Sequence, residues 1–467
     1  MEEIFVKALG VLLVLGTFYC FGHGIYLFID RRRRIDAMEN TPPQKQKEVQ
    51  EELPQFMGAR VLAKKVGLRQ VGSHQQPKSK TVYTLVFLTD QGEERQFKVS
   101  KTVFESCREQ QVGTLVAAGD TFLSFGEGEE LWDPATDLPQ TIEVFAEGTG
   151  SHLQGIALDG KKEYLYCSFT TCLIKMDLQG NPVASVKGLA GHLGCIAYHP
   201  ADGKIYGSLE YKHDKIGQGI LDNVGYTGEI KDGFYIVSFD PDKMTRMDMD
   251  AETDGVMSAV FLKEVYDDYA THHHAYGCSG IDGVTFAPAI GEEDEKLYLY
   301  VAYGIYGDPT RTDNDHQVLL QYDVTHWKQY ARPLSQENMH RQGPEAPNNK
   351  YFVYTGNTNY GIQNLEYDPY SRSMLAAVYK GEKEQFENYS LFFIDCNTPA
   401  QHRRLKGTDG EKGELLRLAE FSNGSHFPYG ATGLIALGDG YYYASEGYQK
   451  GKGYGGHICR YTWEELL

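Results

Sequence analysis

Five near-repeats of one short phrase run through the C-terminal two-thirds of the chain. The phrase opens on His or Gly and continues with an aliphatic residue or Ala, a variable residue, a small residue or Asn, and a run of strand formers. A Gly/Asp turn signal and a second, often Tyr-rich strand usually follow. A repeated unit of about 40 to 80 residues that holds short strands and such turns is typical of β-propeller blades. The copies begin at His152, His192, Gly280, Gly361 and Gly430.

A closed ring explains this self-similarity better than a sandwich, because one four-stranded blade cannot bury both of its faces alone. Five copies favour five blades, and six or seven stay open if degenerate copies lie in the long insertions. The last blade offers three evident strands, and 141–146 forms an isolated strand before the first blade. We therefore expect 141–146 to pair with the C-terminal strand around Ile458 and to close a propeller that spans 136–467.

A membrane anchor is predicted at the N-terminus. Residues 8–28 carry no formal charge and are long enough to cross a bilayer core. Four arginines at 31–34 follow the apolar segment, and the positive-inside rule places that flank in the cytoplasm. We therefore expect an anchor with a basic flank at 1–35, a polar linker at 36–54, and a single-pass cell-membrane protein whose C-terminal domains are cytoplasmic.

The net charge bears on possible partners, and the cysteine content agrees with a cytoplasmic placement. The net charge of −19 argues against a nucleic-acid partner, because phosphates need a basic face. Of the eight cysteines, seven lie outside the predicted span, and no pair has the CxxC spacing of a structural zinc site. An odd number of dispersed cysteines is typical of reduced thiols rather than of a secreted disulfide scaffold.

A small β domain is predicted at 55–130, where short strand patterns alternate with turns. Its phrases at 83–87, 95–99 and 119–125, with the anchor before them, resemble the YhhM-like family of bacterial inner-membrane proteins of unknown function. The resemblance covers about 5–126. The usual Gly-Asp before the phrase at 113–115 is replaced by Gln111-Val112. The resemblance implies a bacterial membrane protein with a small antiparallel barrel or roll, and it implies no catalytic residues.

Candidate ligand-binding residues follow from the repeat, because the innermost strands of a propeller line a central channel and ligands bind at its mouth. The first and third positions of the phrase and two carboxylates after second strands supply polar groups there. The alternative is that these groups fill a wet channel with hydrogen bonds. The candidates are His152, Gln154, His192, Glu210, Asp282, Gln363, Thr432 and Glu446.

A divalent metal is the cofactor that these residue types would suit. The His run at 272–274 leads into the Asp282 repeat, and alternate residues of an extended segment share a face. His272, His274 and Asp282 therefore form a possible site for zinc, whereas Asp282, Glu210 and Gln363 offer the oxygen ligands that calcium prefers. The competing interpretation is that these side chains bind no metal and only form hydrogen bonds.

These observations favour a membrane-anchored binding or scaffolding protein whose propeller platform takes a protein or a small polar ligand. The alternative is a metal-assisted hydrolase or lactonase with its site at the channel mouth. Neither the nucleophile elbow of serine hydrolases nor the P-loop of NTPases occurs in the sequence. The sequence therefore leaves open whether the protein is an enzyme.

Overall fold

A computed structural model gives the fold, which is mainly β, as the sequence predicts. The chain divides into two compact units, Met1–Leu131 and Trp132–Leu467. No helix within the described part of the chain is long and apolar enough to cross a membrane, and the predicted span at 8–28 lies outside that part. The structure describes residues 55–71, 78–89, 92–109, 111–127, 134–147, 151–229, 231–270, 278–292, 296–305, 307–337, 339–356 and 359–467.

The first unit contains one antiparallel five-stranded sheet, in which the strands at 94–99, 78–89, 55–71, 112–118 and 121–127 lie side by side in that order. Val61, Phe87 and Leu115 are fully buried in its core, as expected for strands with one apolar face. Its elements are β1 (Gln55–Val71), β2 (Lys78–Thr89), β3 (Glu94–Val99), α1 (Lys101–Ser106), β4 (Val112–Ala118) and β5 (Thr121–Glu127).

The second unit consists of five sheets that follow one another along the chain. Its first half contains α2 (Pro134–Asp137), β6 (Thr141–Ala146), β7 (Leu153–Leu158), β8 (Tyr164–Phe169), β9 (Cys172–Asp177), β10 (Pro182–Lys187), β11 (His192–His199), β12 (Lys204–Tyr211), α3 (Lys215–Val224), β13 (Gly233–Phe239), β14 (Met249–Asp250), β15 (Met257–Phe261) and α4 (Lys263–Ala270). Its second half contains β16 (Cys278–Pro288), β17 (Leu297–Ile305), β18 (His316–Tyr322), a 3-10 turn (Trp327–Gln329), β19 (Asn349–Tyr354), β20 (Ile362–Asp368), β21 (Ser373–Val378), β22 (Leu391–Asp395), β23 (Gln401–Arg404), β24 (Lys412–Leu416), β25 (Gly424–Ser425), β26 (Leu434–Gly438), β27 (Tyr441–Lys450), β28 (Gly453–Thr462) and α5 (Trp463–Leu466).

The five sheets form a closed ring. Their strand orders are β7-β8-β9-β10-β14, β11-β12-β13-β15, β16-β17-β18-β19-β24-β23, β20-β21-β22-β25 and β26-β27-β28-β6. The first strands lie against one another in the cyclic order β7, β11, β16, β20, β26 and back to β7. Each copy of the repeat phrase leads into one of these first strands or lies within it, so the repeat marks the inner edge of each sheet.

The small residue at the fourth position of the phrase lets neighbouring first strands approach closely. A Cβ at Gly155 would lie 2.8 Å from the Cα of Cys195 in the next sheet. A Cβ at Gly433 would lie 3.0 Å from Cγ1 of Ile156, which joins the last sheet to the first. These contacts explain why Gly155 and Gly433 lack a side chain, because a Cβ at either position would press against the neighbouring sheet.

The ring is closed by β6, which precedes the first sheet in the chain but hydrogen-bonds with the last. β6 pairs antiparallel with β28, and Ile142 lies opposite Ile458. The predicted pairing of 141–146 is confirmed in this register. Burial alternates along β6, so that Ile142 and Val144 pack in the core while Thr141 and Glu143 are exposed.

Candidate functional site

The first strands of the five sheets begin at the same end of the ring, which we call the upper end, and finish at the lower end. At the upper end Nδ1 of His192 on β11 lies 3.5 Å from Oδ1 of Asp282 on β16. Nε2 of Gln363 on β20 donates a hydrogen bond of 3.3 Å to Oδ2 of Asp282. Three neighbouring sheets thus contribute one side chain each to a single cluster.

A buried ion pair supports this cluster from β12. Glu210 lies opposite His192 in the ladder, and its Oε1 is 2.5 Å from Nζ of Lys212. Nζ of Lys212 also donates to the carbonyl of Ser279, and the amide of Ile281 donates to Oε2 of Glu210. Both side chains are nearly inaccessible, at 2% for Glu210 and 4% for Lys212, so each charge depends on the other.

Lys212 is the member of the cluster that the sequence prediction missed. Ser208 and Glu210 lie at alternate positions of β12, and Lys212 comes at the next alternate position, directly after the strand ends at Tyr211. The hydroxyl of Ser208 donates to the carbonyl of Asp282 in the next sheet. A polar residue at every second position of an otherwise apolar strand is the signal that would have found Lys212. We call His192, Glu210, Lys212, Asp282 and Gln363 the upper cluster.

Two atoms of the upper cluster have no hydrogen-bond partner among the described residues. These buried atoms are Nδ1 of His192 and Oδ1 of Asp282. Their separation of 3.5 Å, like the 3.6 Å from Nδ1 to Oε1 of Glu210, is longer than a normal hydrogen bond. A buried polar atom without a partner costs roughly 1–3 kcal/mol, so such a pair calls for an explanation.

Burial and charge tune the titration of the upper cluster. Burial, followed by the charges of Lys212 and His152, lowers the pKa of His192 to about 3, so its imidazole is neutral near pH 7. Burial and the charge of Glu210 raise the pKa of Asp282 to about 7, against the opposing effects of Lys212 and Gln363. Although burial disfavours its charge, Glu210 and Asp214 keep the pKa of Lys212 above its ordinary value.

The other predicted residues lie outside these contacts. The side chain of Gln154 donates to Thr170, and Thr432 is hydrogen-bonded to Ser445 in its own sheet. Glu446 is exposed on β27, opposite His457 in the ladder. The structure therefore does not bring Gln154, Thr432 and Glu446 into contact with His192, Asp282 and Gln363. Each is satisfied locally or faces solvent.

His152 is half-buried, and its Nδ1 lies 2.8 Å from the carbonyl of the following residue. The charge of His152 contributes to the lowered pKa of His192, so His152 lies near the upper cluster. His272 and His274 lie outside the described residues. Across the described ranges, no three His, Cys, Asp or Glu side chains are arranged to hold a metal ion.

An aromatic pair borders the upper cluster. Tyr360 precedes β20 with a φ of 66°, and its carbonyl accepts a hydrogen bond from Gln363. Its ring is half exposed and meets the ring of Tyr379 edge-on, with 6.3 Å between the centroids. A left-handed backbone at a bulky residue is unusual and is often found at functional sites. Burial and the nearby charge of Asp282 raise the pKa of Tyr379 to about 12, which places this ring beside the cluster.

No protein-family model and no curated protein matches this chain. Among solved structures, a protein of Proteus penneri ATCC 35198 is 16% identical with a TM-score of 0.16, and the match covers 16% of this chain and 98% of that one. A protein of unknown function from Bacteroides caccae is 8% identical with a TM-score of 0.25, over 66% and 95%. The Dos1 propeller is 9% identical with a TM-score of 0.27, over 67% and 70%. Similarity at these TM-scores carries no argument about function.

Proposed function

We propose that this chain is a binding protein in which a five-bladed β-propeller holds a small polyhydroxylated molecule, such as a sugar, at its upper end. The observation that carries the proposal is the pair formed by His192 Nδ1 and Asp282 Oδ1. Both atoms are buried, they belong to different sheets, and neither is satisfied by a described residue. A ligand hydroxyl that donates to one of them would remove a cost that the unliganded fold carries.

Lys212 favours a neutral donor over a cation. Its ammonium group already occupies the cationic position of the upper cluster, where it is paired with Glu210. Its charge also acts on both His192 and Asp282. A second cation, whether an amine or a metal ion, would be repelled by Lys212, whereas a hydroxyl can donate to either acceptor without that repulsion.

Gln363 and Tyr360 beside the upper cluster are residue types that suit a sugar site. Gln363 supplies an amide whose oxygen accepts and whose nitrogen donates, and it already touches Asp282. Tyr360 offers a half-exposed ring beside the polar groups, and an aromatic ring suits the apolar face of a sugar. The proposed ligand would therefore stack on Tyr360 and hydrogen-bond with Asp282 and His192.

A thermal-shift measurement on the full chain tests the proposal. Glucose, ribose and myo-inositol serve as probes at saturating concentration. At least one should raise the melting temperature, because a ligand present at a hundred times its Kd stabilises by about 2.7 kcal/mol. Asp282→Ala should weaken binding by about tenfold or more, as expected for a hydrogen bond to a charged group. The exposed Asp242 provides the matched control, and Asp242→Ala should leave binding unchanged.

The pH dependence of this binding follows from the raised pKa of Asp282. The carboxyl group is protonated below about pH 7 and becomes a pure acceptor above it, so binding of a hydroxyl donor should strengthen between pH 6 and pH 8. No stabilisation by any of the three probes, or equal stabilisation of the Asp282→Ala variant, would contradict the proposal.

A hydrolase acting at the same end is the second candidate. A carboxyl group with a pKa of about 7 beside a neutral imidazole is suited to general acid–base catalysis near neutral pH. Turnover of a bound glycoside or lactone that is lost in Asp282→Asn would favour this candidate. Metal analysis of the purified full chain would show whether this hydrolase uses a metal ion. Stoichiometric metal that is lost in Asp282→Ala is expected only of a metal-assisted hydrolase.

We also propose that 8–28 anchors the protein in the membrane and that both folded units face the cytoplasm. The basic flank at 31–34 and the free cysteines support this orientation. A reporter that is active only outside the cytoplasm, fused after Leu467, should stay silent, while a cytoplasmic reporter at the same position should be active. The opposite pattern would place the ring on the other side of the membrane.

A further inference from the structure

The lower end of the ring contains a cavity. Its volume is about 380 Å³, and the first strands of all five sheets contribute to its wall. This size lies in the range of pockets that hold small organic molecules. Most of the lining is apolar or aromatic, including Ala157, Tyr198, Phe286, Tyr367 and Leu437.

Asn364 lies between this cavity and the upper cluster. It follows Gln363 on β20 and is fully buried, and its side chain reaches across the axis of the ring. Its Nδ2 donates to the carbonyl of Gln154 on β7 and to the carbonyl of Ala431 before β26. These bonds tie three sheets together across the axis, so the lower cavity and the upper cluster are separate sites.

Glu366 is the one acidic side chain among the described residues that line the lower cavity. Its Oε1 accepts a hydrogen bond of 3.0 Å from the amide of Ala436, and its Oε2 accepts a weaker one of 3.4 Å from the hydroxyl of Thr285. None of the described lining residues is basic. The carboxyl group therefore faces a mostly apolar cavity without a cation to balance it.

Burial is the main reason why the pKa of Glu366 rises to about 8, with a smaller contribution from Asp368 on the same strand. The titratable groups that face it from other elements are Cys195 and Tyr198 on β11. The strands β16 and β26 present Thr285 and Ala436, which do not titrate. An entering cation would stabilise the ionised carboxylate, because an opposite charge nearby offsets the cost of burial.

We propose that the lower cavity is a binding site for a small primary amine with an apolar or aromatic body. The ammonium group pairs with Glu366 and donates to its carboxylate. The apolar body packs against Phe286 and Leu437, and the ring of Tyr198, which lines the same cavity, supplies an electron-rich face for the ammonium group. This site is independent of the sugar site proposed at the upper end, where Lys212 disfavours a cation.

Calorimetric titration of the full chain with phenethylamine tests this site, with 2-phenylethanol as the neutral analogue of the same shape. Phenethylamine should bind at least about tenfold more tightly than the alcohol, because hydrogen bonds to charged groups are the stronger ones. Below pH 8 the amine must displace the proton of Glu366, so its affinity should rise toward pH 8 by up to about tenfold per pH unit.

Four variants locate the binding. Glu366→Gln should lose the preference for the amine and the pH dependence, while Glu420→Gln, at a side chain that is 81% exposed, should change neither. Ala436→Leu narrows the cavity while it keeps the carboxyl group of Glu366, and it should abolish binding of both probes. Equal affinity for amine and alcohol, binding unchanged in Glu366→Gln, or no binding of phenethylamine at millimolar concentration would overturn the proposal. Binding lost in Asp282→Ala instead would assign the amine to the upper end and overturn it as well.

Discussion

The double variant Ile142→Ala/Val144→Ala is expected to lower the free energy of unfolding of the second unit by about 4–7 kcal/mol. Both side chains are almost completely buried, at 2% and 1% exposure, on a strand that joins the N-terminal end of the ring to its last sheet. The variant removes core volume where the strand before the first sheet pairs with the last sheet and so closes the ring. A loss of this size is comparable with the whole stability of many domains, so the ring should open.

Urea unfolding of the full chain, followed by tryptophan fluorescence, measures this loss selectively. The three tryptophans, Trp132, Trp327 and Trp463, all belong to the second unit. Thr141→Ala is the matched control, because Thr141 lies on the exposed face of the same strand and should change stability by less than about 1 kcal/mol. A double variant as stable as this control would show that β6 does not close the ring.

The Glu210→Ala variant is expected to destabilise the same unit by about 3–5 kcal/mol. The substitution leaves the ammonium group of Lys212 buried without its closest counter-charge, and it removes the acceptor of the Ile281 amide. Breaking a buried pair from one side costs more than the pair contributes, because the remaining charge stays desolvated.

Two comparisons isolate the buried charge as the cause. The double variant Glu210→Leu/Lys212→Leu should recover most of the lost stability, since an apolar pair of similar volume carries no desolvation penalty. Asp267→Ala removes one partner of the exposed pair with Lys263 and should cost no more than about 1 kcal/mol. If Glu210→Ala costs no more than Asp267→Ala, the ion pair does not support the upper cluster. Both measurements use urea unfolding of the full chain.

Local sequence patterns predicted the ring strands because the information they need is short-range. Alternating side chains, Gly/Asp turns and the repeat phrase locate β7, β11, β16, β20 and β26, and alternation along 141–146 indicates a strand with one buried face. The pairing of 141–146 with the last sheet was predictable because that sheet otherwise lacked a strand. The insertions were not predictable in this way: β14, β23 and β24 extend sheets from which they are separated in the chain.

The candidate site could likewise be predicted from the sequence only in part. His192, Asp282 and Gln363 were found as polar residues in the repeat, and Glu210 as a carboxylate after a second strand. The contacts of Asp282 with His192 and Gln363 depend on the distance between strands of neighbouring sheets, and no local pattern contains that distance. Gln154 and Thr432 occupy the same position of the phrase as Asp282, yet each finds a partner within its own sheet.

The sequence by itself determined where the strands lie, which residues begin the inner edges of the sheets, and which strand closes the ring. Only the tertiary structure decided that the inner edges enclose two separate sites. Ring closure brings Asn364 across the axis to Gln154 and Ala431, and it leaves Glu366 in an apolar cavity on the far side. Both outcomes depend on side chains that are distant in the chain. Burial, which sets their charge states, exists only after all five sheets have packed together.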